Sequence, residues 1–260
     1  MRVLITGAAG RLGRKLSRAL ESEHELALGD VNPPDDPRAV PLDVTDLAAA
    51  REAVAGCDAL VHMAIVDWPL PSREETLRYG ATALQVHVAG TYNMLQAALE
   101  AGLCRFVYVS SVSVVDGLPP GVTAPPDNRH YSNGMYGLTK GMGEDLCRMF
   151  HESFGVPVTI LRLGTIYSPE PGGVWIGNKF VREGADQPPP PPGPTPSRVH
   201  VDDVTRAIGR ALEVTEPGYA LVHIVGASAG ETWDLEAARR VLGWAPTVGL
   251  NEAGEPRLKA

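Results

Sequence analysis

Residues 2–13 read RVLITGAAGRLG, and this stretch decides the fold. The apolar run Arg2–Thr6 predicts a β-strand, and the amphipathic run after it predicts a helix over Leu12–Glu21. Gly7 and Gly10 lie between the strand and the helix, and Gly13 follows in the first turn of the helix. Glycines at such a turn permit a sharp bend and let a pyrophosphate approach backbone N–H groups at the helix N-terminus. The stretch therefore predicts a dinucleotide-binding unit.

The rest of the chain continues the alternation of short apolar runs and longer helix-period stretches, which is typical of βαβ units and a parallel sheet. Further strands are predicted at Glu25–Gly29, Ala39–Leu42, Ala59–His62, Arg105–Ser110 and Val156–Leu161. Further helices are predicted at Leu47–Ala55, Ala81–Ala101 and Met135–Phe154. The fold class is thus α/β, a Rossmann-type doubly wound parallel sheet in residues 1–171.

Residues 172–260 are expected to form a small α+β C-terminal lobe that does not fold independently. It holds a predicted helix at Asp202–Val214, a strand at Ala220–Val225 and a helix at Asp234–Leu242. The proline-rich run Gln187–Ser197 predicts a stiff, extended connector, and a binding site for a partner domain is the alternative.

Composition narrows the class of protein. A hydrophobic share of 44% with 21% charged residues is ordinary for a globular protein, so no disordered class is indicated. The net charge of −8, without a Lys/Arg cluster, argues against nucleic acid as a partner. Three scattered cysteines favour a reducing compartment, and neither a leader nor a membrane-length apolar run is visible. We therefore expect a cytoplasmic protein with no membrane partner and no metal site.

An acidic residue closes the second predicted strand. The carboxylate of Asp30 is placed to accept hydrogen bonds from both hydroxyls of an adenosine ribose and to repel a 2′-phosphate. Arg11 and Arg38 are nearby cations that could instead bind the 2′-phosphate of NADP. The sequence thus predicts NAD as the cofactor rather than NADP.

With these residues in view, the chain resembles the extended short-chain dehydrogenase/reductases, specifically the NAD-dependent epimerase/dehydratase family. Thr6 and the three glycines match the family's TGxxGxxG, and residues 87–98 are similar to its NVxGTxNLLEAA, with His87 where asparagine is usual. The resemblance implies further cofactor contacts along the predicted sheet edge. Those contacts are Arg11, Leu12, Asp43, Val44, Met63, Ala64 and Leu163.

Tyr136 and Lys140 lie four residues apart at a predicted helix start, so their side chains share one face. A tyrosine acting as a base at neutral pH needs a pKa below its usual value of about 10, and a nearby ammonium favours the phenolate. The resemblance implies that Lys140 also binds the nicotinamide ribose. Tyr136 is accordingly predicted as the general base, in contact with both cofactor and substrate.

The serines come from the fifth predicted strand end, which is similar to the family's SSxxVYG segment. The resemblance implies that the second serine, Ser111, polarises the substrate oxygen, with Ser110 as the alternative, and that Ser113 touches substrate. The catalytic set is therefore Ser111, Tyr136 and Lys140, and the substrate contacts are Ser111, Ser113 and Tyr136.

The predicted reaction is hydride transfer between nicotinamide and a hydroxyl or carbonyl carbon. The short connection from Tyr167 to His200 indicates a small pocket, which favours a small sugar, polyol or hydroxy acid over a nucleotide sugar. Uronate dehydrogenases of this family usually follow the second serine with Asn-His, whereas this chain has Val112 and Ser113. A nucleotide-sugar epimerase or dehydratase and a non-catalytic NAD(P) sensor remain alternatives.

A homodimer is also expected, because the two long helices often pair between subunits in this family. The apolar side chains assigned to that surface are Met94, Leu95, Met142, Leu146 and Met149. Packing within one chain is the alternative explanation for these residues.

Overall fold

The structure is a computed structural model of the 260-residue chain. It describes residues 1–66, 73–115, 130–132, 134–168, 174–176, 179–181, 197–215, 218–226, 233–250 and 256–258. The proline-rich run lies outside the described residues, except for Ser197, so the predicted connector stays a prediction.

A seven-stranded sheet, parallel throughout, forms the centre of the molecule. Its strands are β1 (Arg2–Thr6), β2 (Glu25–Asp30), β3 (Ala39–Pro41), β4 (Ala59–His62), β5 (Arg105–Ser111), β6 (Val158–Leu163) and, from the C-terminal region, β11 (Tyr219–Ile224). Their order is β11-β6-β5-β4-β1-β2-β3. The chain reverses direction across the sheet between β1 and β4, and parallel α/β sheets bind ligands at such a switch point. The predicted fold class is confirmed.

Helices cover both faces of this sheet. They are α1 (Arg11–Leu20), α2 (Leu47–Val54), α3 (Arg73–Ala83), α4 (Gly90–Ala101), α5 (Met135–Phe154), α6 (Val201–Glu213) and α7 (Glu236–Leu242). Alternate residues of β1 enter opposite layers: Val3 and Ile5 pack with α1 and α6, and Leu4 packs with α2, α4 and α5. Because both faces are covered, the strands are apolar on both sides.

The remaining described strands are short. They are β7 (Thr165–Tyr167), β8 (Val174–Ile176), β9 (Lys179–Val181), β10 (Arg198–His200), β12 (Val248–Leu250) and β13 (Pro256–Leu258), paired as β7–β10, β8–β9 and β12–β13. The C-terminal region also adds β11 to the edge of the main sheet and packs α6 against α1. The domain boundary after residue 171 stays a prediction.

Most predicted elements begin and end within one or two residues of the observed bounds. The sixth strand is displaced towards its C-terminal end, because Pro157 has no N–H to donate to a ladder. The predicted continuous helix Ala81–Ala101 is wrong in detail. A π-helical turn, Leu84–Ala89, separates α3 from α4 within it.

Within the described residues, no helix combines the length and apolar character needed to cross a membrane.

Candidate active site

A single cleft runs along the C-terminal ends of the central strands, with a volume of about 1000 Å³. Every site residue predicted from the sequence lines it, although they come from distant parts of the chain. These residues are Gly7, Gly10, Arg11, Leu12, Gly13, Asp30, Asp43, Val44, Met63, Ala64, Ser111, Ser113, Tyr136, Lys140 and Leu163. The structure thus brings the predicted cofactor and catalytic residues to one place.

The glycine-rich turn at the end of β1 fits a pyrophosphate. Gly7 has φ of +73°, which side chains disfavour, and a Cβ on Gly13 would lie 2.5 Å from the carbonyl oxygen of Ala8. Gly10 caps α1 without a side-chain hydrogen bond, and the first turn of the helix carries no acidic residue. The first N–H groups of α1 therefore lack a side-chain cap at the edge of the cleft, which is the arrangement that binds anions.

Asp30 ends β2 and lines the cleft. Its carboxylate is the group predicted to bind an adenosine ribose. Its carboxylate accepts hydrogen bonds from Ala9 N and Asn32 N, both at 3.0 Å. Arg38 is already engaged with the carboxylates of Asp36, at 2.7 Å, and Glu21, at 3.0 Å. These two carboxylates hold the Arg38 guanidinium and compete with any 2′-phosphate for it.

The end of β4 is held by Thr6. Its hydroxyl accepts hydrogen bonds from Met63 N, at 3.1 Å, and Ala64 N, at 3.2 Å. The same hydroxyl bonds His62 Nδ1 at 2.8 Å. Thr6 was not predicted to be a positioning group, since the residues of a strand end do not show which backbone N–H groups of another segment its side chain binds.

Tyr136, Ser111 and Lys140 lie together between β5 and the first turns of α5. The Ser111 hydroxyl lies beside that of Tyr136 and favours its phenolate, and Ser111 Oγ accepts a hydrogen bond from Ser113 N at 3.2 Å. The Lys140 ammonium donates to Val109 O at 2.8 Å and lies 5.0 Å from the centre of the Tyr108 ring.

The expected lowering of the Tyr136 pKa by Lys140 is not found. Tyr136 keeps part of its side chain open to the cleft, yet the atoms packed around it raise its pKa to about 12, while the Ser111 hydrogen bond acts in the opposite direction. Burial lowers the pKa of Lys140 to about 8. The physical reason is geometric, because the Lys140 ammonium is turned towards Val109 O and Tyr108.

The two candidate serines have different surroundings. Ser110 Oγ donates to Glu144 Oε1 at 2.5 Å and is almost fully buried, whereas Ser111 is half-buried and lies beside the Tyr136 hydroxyl, whose pKa it lowers. Ser111 is therefore the serine whose hydroxyl is in contact with Tyr136, and Ser110 serves the structure beneath it.

Glu144 anchors α5 to the sheet one helical turn after Lys140. It forms a bidentate ion pair with Arg162 of β6, with one of the two bonds at 2.8 Å, and His130 Nε2 lies 3.4 Å from its carboxylate. Both partners of the ion pair are buried, and Arg162 holds the pKa of Glu144 below its usual range against the opposing effect of burial. This pair was not predicted, because residues 18 positions apart on a helix and a strand show no local pattern.

His87 sits in the π-helical turn and is 1% exposed. Its Nε2 accepts from Val66 N at 3.1 Å, its Nδ1 lies 2.9 Å from Thr139 Oγ1, and its ring contacts that of Tyr136. His87 is therefore a buried histidine whose two ring nitrogens both have hydrogen-bond partners.

Comparison with known proteins agrees with this geometry. The sequence profile of the NAD dependent epimerase/dehydratase family matches residues 3–224. The chain belongs to this family. Membership confirms the predicted class, an NAD-dependent enzyme of the oxidoreductase type with a Rossmann fold.

Several similar proteins carry names that describe dehydrogenases of free sugars or uronic acids. A uronate dehydrogenase of Agrobacterium fabrum is 34% identical over 175 residues, which are 65% of this chain and 63% of that protein. An L-arabinose 1-dehydrogenase (NAD(P)(+)) of Haloferax volcanii is 27% identical over 94% of this chain and 96% of its own. A tyrosine-to-alanine variant of an Agrobacterium tumefaciens uronate dehydrogenase, solved with NAD, is 29% identical with a TM-score of 0.74, covering 94% and 84% of the two chains.

Proposed function

We propose that this protein oxidises a hydroxyl group of a free monosaccharide or uronic acid and passes the hydride to NAD. The observation that carries the proposal is the grouping of Ser111, Tyr136 and Lys140 in the same cleft as the glycine-rich turn. Related dehydrogenases with simple-sugar names support the substrate class.

The cleft residues divide by role. The turn at Gly7, Gly10 and Gly13, with Arg11 and Leu12, would hold the pyrophosphate, and Asp30 would hold the adenosine ribose. Asp43, Val44, Met63 and Ala64 would border the adenosine, and Leu163 would lie against the nicotinamide. NAD, when bound, supplies the hydride-accepting ring carbon and, in its oxidised form, a positive charge that favours a nearby phenolate.

The chemistry falls to three side chains. Ser111 donates a hydrogen bond to the substrate oxygen and keeps it within reach of Tyr136. Tyr136 takes the hydroxyl proton as the carbon–hydrogen bond breaks. Lys140 favours the phenolate form once its ammonium faces the cleft and, as the family resemblance implies, binds the nicotinamide ribose.

The choice of a free sugar rests on the substrate end of the cleft. Hydroxyl groups line its described part, on Ser111, Ser113 and Thr165, and suit a polyhydroxylated ligand. Val112 follows the catalytic serine where uronate dehydrogenases usually have asparagine, so recognition of a carboxylate would have to differ here.

A substrate panel tests the proposal. NADH formation is followed by absorbance with L-arabinose, D-xylose, D-glucuronate, D-galacturonate, UDP-glucose and UDP-glucuronate, and Ser111→Ala serves as the low-activity control. We expect turnover with at least one free sugar or uronate and none with the UDP-sugars. Turnover only with UDP-sugars would favour the nucleotide-sugar alternative, and NAD binding without any turnover would favour the sensor.

We also propose preference for NAD over NADP, since Asp30 lines the ribose end and Arg38 is held by Asp36 and Glu21. A reducing, cytoplasmic setting remains our proposal as well, supported by three free cysteines, two of them buried.

A homodimer is a further proposal, with a revised surface. Met94 and Leu95 were assigned to the interface but are fully buried within their own chain, so they belong to its core. Leu146 and Met149 are partly buried and pack against the same core, whereas Met142 is exposed as expected. The revised surface therefore combines Met142 with three other exposed apolar side chains, Leu84, Tyr92 and Leu138.

A further inference from the structure

The π-helical turn Leu84–Ala89 is the one departure from α-helical geometry between α3 and α4, and it carries His87. Single π turns are rare and occur often at functional sites. Val86, one residue earlier, lines the cleft, and His87 itself points into the protein beneath it. The turn therefore places a buried imidazole directly behind the catalytic residues.

Two hydrogen bonds fix the state of the His87 ring. The backbone N–H of Val66 can only donate, so Nε2 must be the unprotonated acceptor. A neutral ring then carries its proton on Nδ1 and donates it to Thr139 Oγ1, 2.9 Å away. The Thr139 hydroxyl in turn donates to Met135 O, at 2.9 Å, or to Tyr136 O, at 3.1 Å.

These bonds join two walls of the cleft. Val66 belongs to the segment after β4 that lines the cofactor side, and Thr139 belongs to the first turns of α5, which carry Tyr136. A second buried imidazole continues the connection, because His62 bonds Thr6 on one side and Thr91 on the other, and Thr91 donates to His87 O. His87 is thus the junction between the cofactor-side strands and the catalytic helix.

The His87 ring also meets the Tyr136 ring edge to face. Their centroids are 5.9 Å apart and the planes are inclined by 87°, a favourable aromatic arrangement. On its other side the His87 ring contacts Tyr79 at 6.4 Å. The Tyr136 side chain consequently has a neighbour at each end, Ser111 beside its hydroxyl and His87 against its ring.

We propose that His87 is a positioning residue for Tyr136, an inference that rests on the proposed function. Its ring, locked by Val66 and Thr139, forms the wall that keeps the Tyr136 hydroxyl beside Ser111. A displacement of about 1 Å at such a group costs about 100-fold in rate, so a fixed wall has a measurable value.

A role for His87 in proton transfer does not fit its surroundings. Both ring nitrogens are used in hydrogen bonds, and burial, followed by the charge of Lys140, lowers the pKa of His87 to about 3. The other titratable groups near it are the phenols of Tyr79 and Tyr136, which contact its ring, and His62, whose pKa is lowered to about 3 chiefly by burial. His87 therefore stays neutral over the working range of pH and acts through Tyr136.

Kinetics of His87→Leu and His87→Gln, alone and combined with Tyr136→Phe, test the inference. Glutamine retains an acceptor for Val66 and a donor for Thr139, whereas leucine retains neither. We expect kcat to fall about 100-fold in His87→Leu with KM for NAD within about twofold, and part of the loss to be recovered in His87→Gln. In the Tyr136→Phe background His87→Leu should have no further effect on kcat.

The matched control is His151→Leu, which removes another histidine that anchors α5, through its bond to Val156 O at 2.9 Å. His151 lies about 22 Å along the helix from Tyr136, so kcat should be unchanged. A kcat of His87→Leu within about twofold of the unmodified enzyme, or a loss that persists undiminished in the Tyr136→Phe background, would overturn the inference.

A spectroscopic arm separates this inference from the proposed function. In nitrogen-15-labelled protein, His87 should remain neutral with its proton on Nδ1 from pH 5 to pH 8. With carbon-13-labelled tyrosine, the Tyr136 resonance should shift in His87→Leu and not in His151→Leu. If no sugar is turned over, the proposed function fails while these spectra still decide the role of His87. A His87 ring that titrates near pH 6.5, or an unmoved Tyr136 resonance, refutes it.

Discussion

Glu144→Gln removes the negative charge from the buried ion pair beneath the catalytic helix. The amide still bonds Ser110 or Arg162, but the Arg162 guanidinium loses the charge of Glu144 in a buried place, since the two side chains are 2% and 0% exposed. Breaking a buried pair in this way costs about 3–5 kcal/mol. We expect a loss of that size in the free energy of unfolding, measured by urea denaturation at neutral pH.

The chain supplies its own control. Arg51 and Glu100 form a bidentate pair of the same geometry at the surface, with bonds of 2.6 and 2.8 Å and side chains 49% and 41% exposed. Water solvates whatever charge remains there, so Glu100→Gln should have a far smaller effect. The double variant Glu144→Leu, Arg162→Met should recover much of the loss, because both charges are removed together. If Glu144→Gln costs no more than Glu100→Gln, the reasoning about burial is wrong.

Three further predictions concern cofactor choice, acid stability and assembly. Calorimetry should show tighter binding of NAD than of NADP, and Asp30→Ala should narrow that ratio; an unchanged ratio would remove Asp30 from the explanation. Burial lowers the pKa values of His62 and His87 to about 3 and of His223 to about 4 from 6.5, so their stability contribution is complete above pH 6.5 and is lost as pH falls below it. Between about pH 6 and 4, each of these histidines should make the free energy of unfolding fall by ~1.4 kcal/mol per pH unit. His87→Gln should reduce that slope by the contribution of one histidine. An equal slope in the variant and the unmodified protein would contradict the expected contribution of His87. Light scattering should return twice the chain mass of 27.7 kDa, and Leu138→Glu with Met142→Glu should return one chain mass, while a monomeric unmodified protein would end the dimer proposal.

Residue patterns along the sequence predicted those parts of the site that are formed by neighbouring residues. The glycine-rich turn and Asp30 are each fixed by a strand end and the turn after it, and the structure places both in one cleft. The helix start at Met135 was likewise predicted from its residue pattern.

Contacts between distant segments were beyond the sequence. His87, in the π-helical turn, is bonded to Val66 and Thr139, which are 21 and 52 residues away. The sequence next to His87 does not indicate a π-helical turn. The direction of the Lys140 ammonium depends on Val109 O, so the pKa of Tyr136 was predicted with the wrong sign. Met94 and Leu95 were assigned to a surface because helix periodicity does not say which apolar face meets the protein's own core.

The Tyr136→Phe variant, assayed with whichever sugar the panel identifies, tests the central claim most directly. The phenyl ring keeps the contact with His87, and the substitution removes only the hydroxyl beside Ser111, so the fold and the affinity for NAD should be retained. We predict a fall in turnover of about two to four orders of magnitude, the usual effect of removing a positioned general base. Turnover equal to that of the unmodified protein, with NAD still bound, would contradict the assignment of Tyr136 and with it the proposed dehydrogenase mechanism.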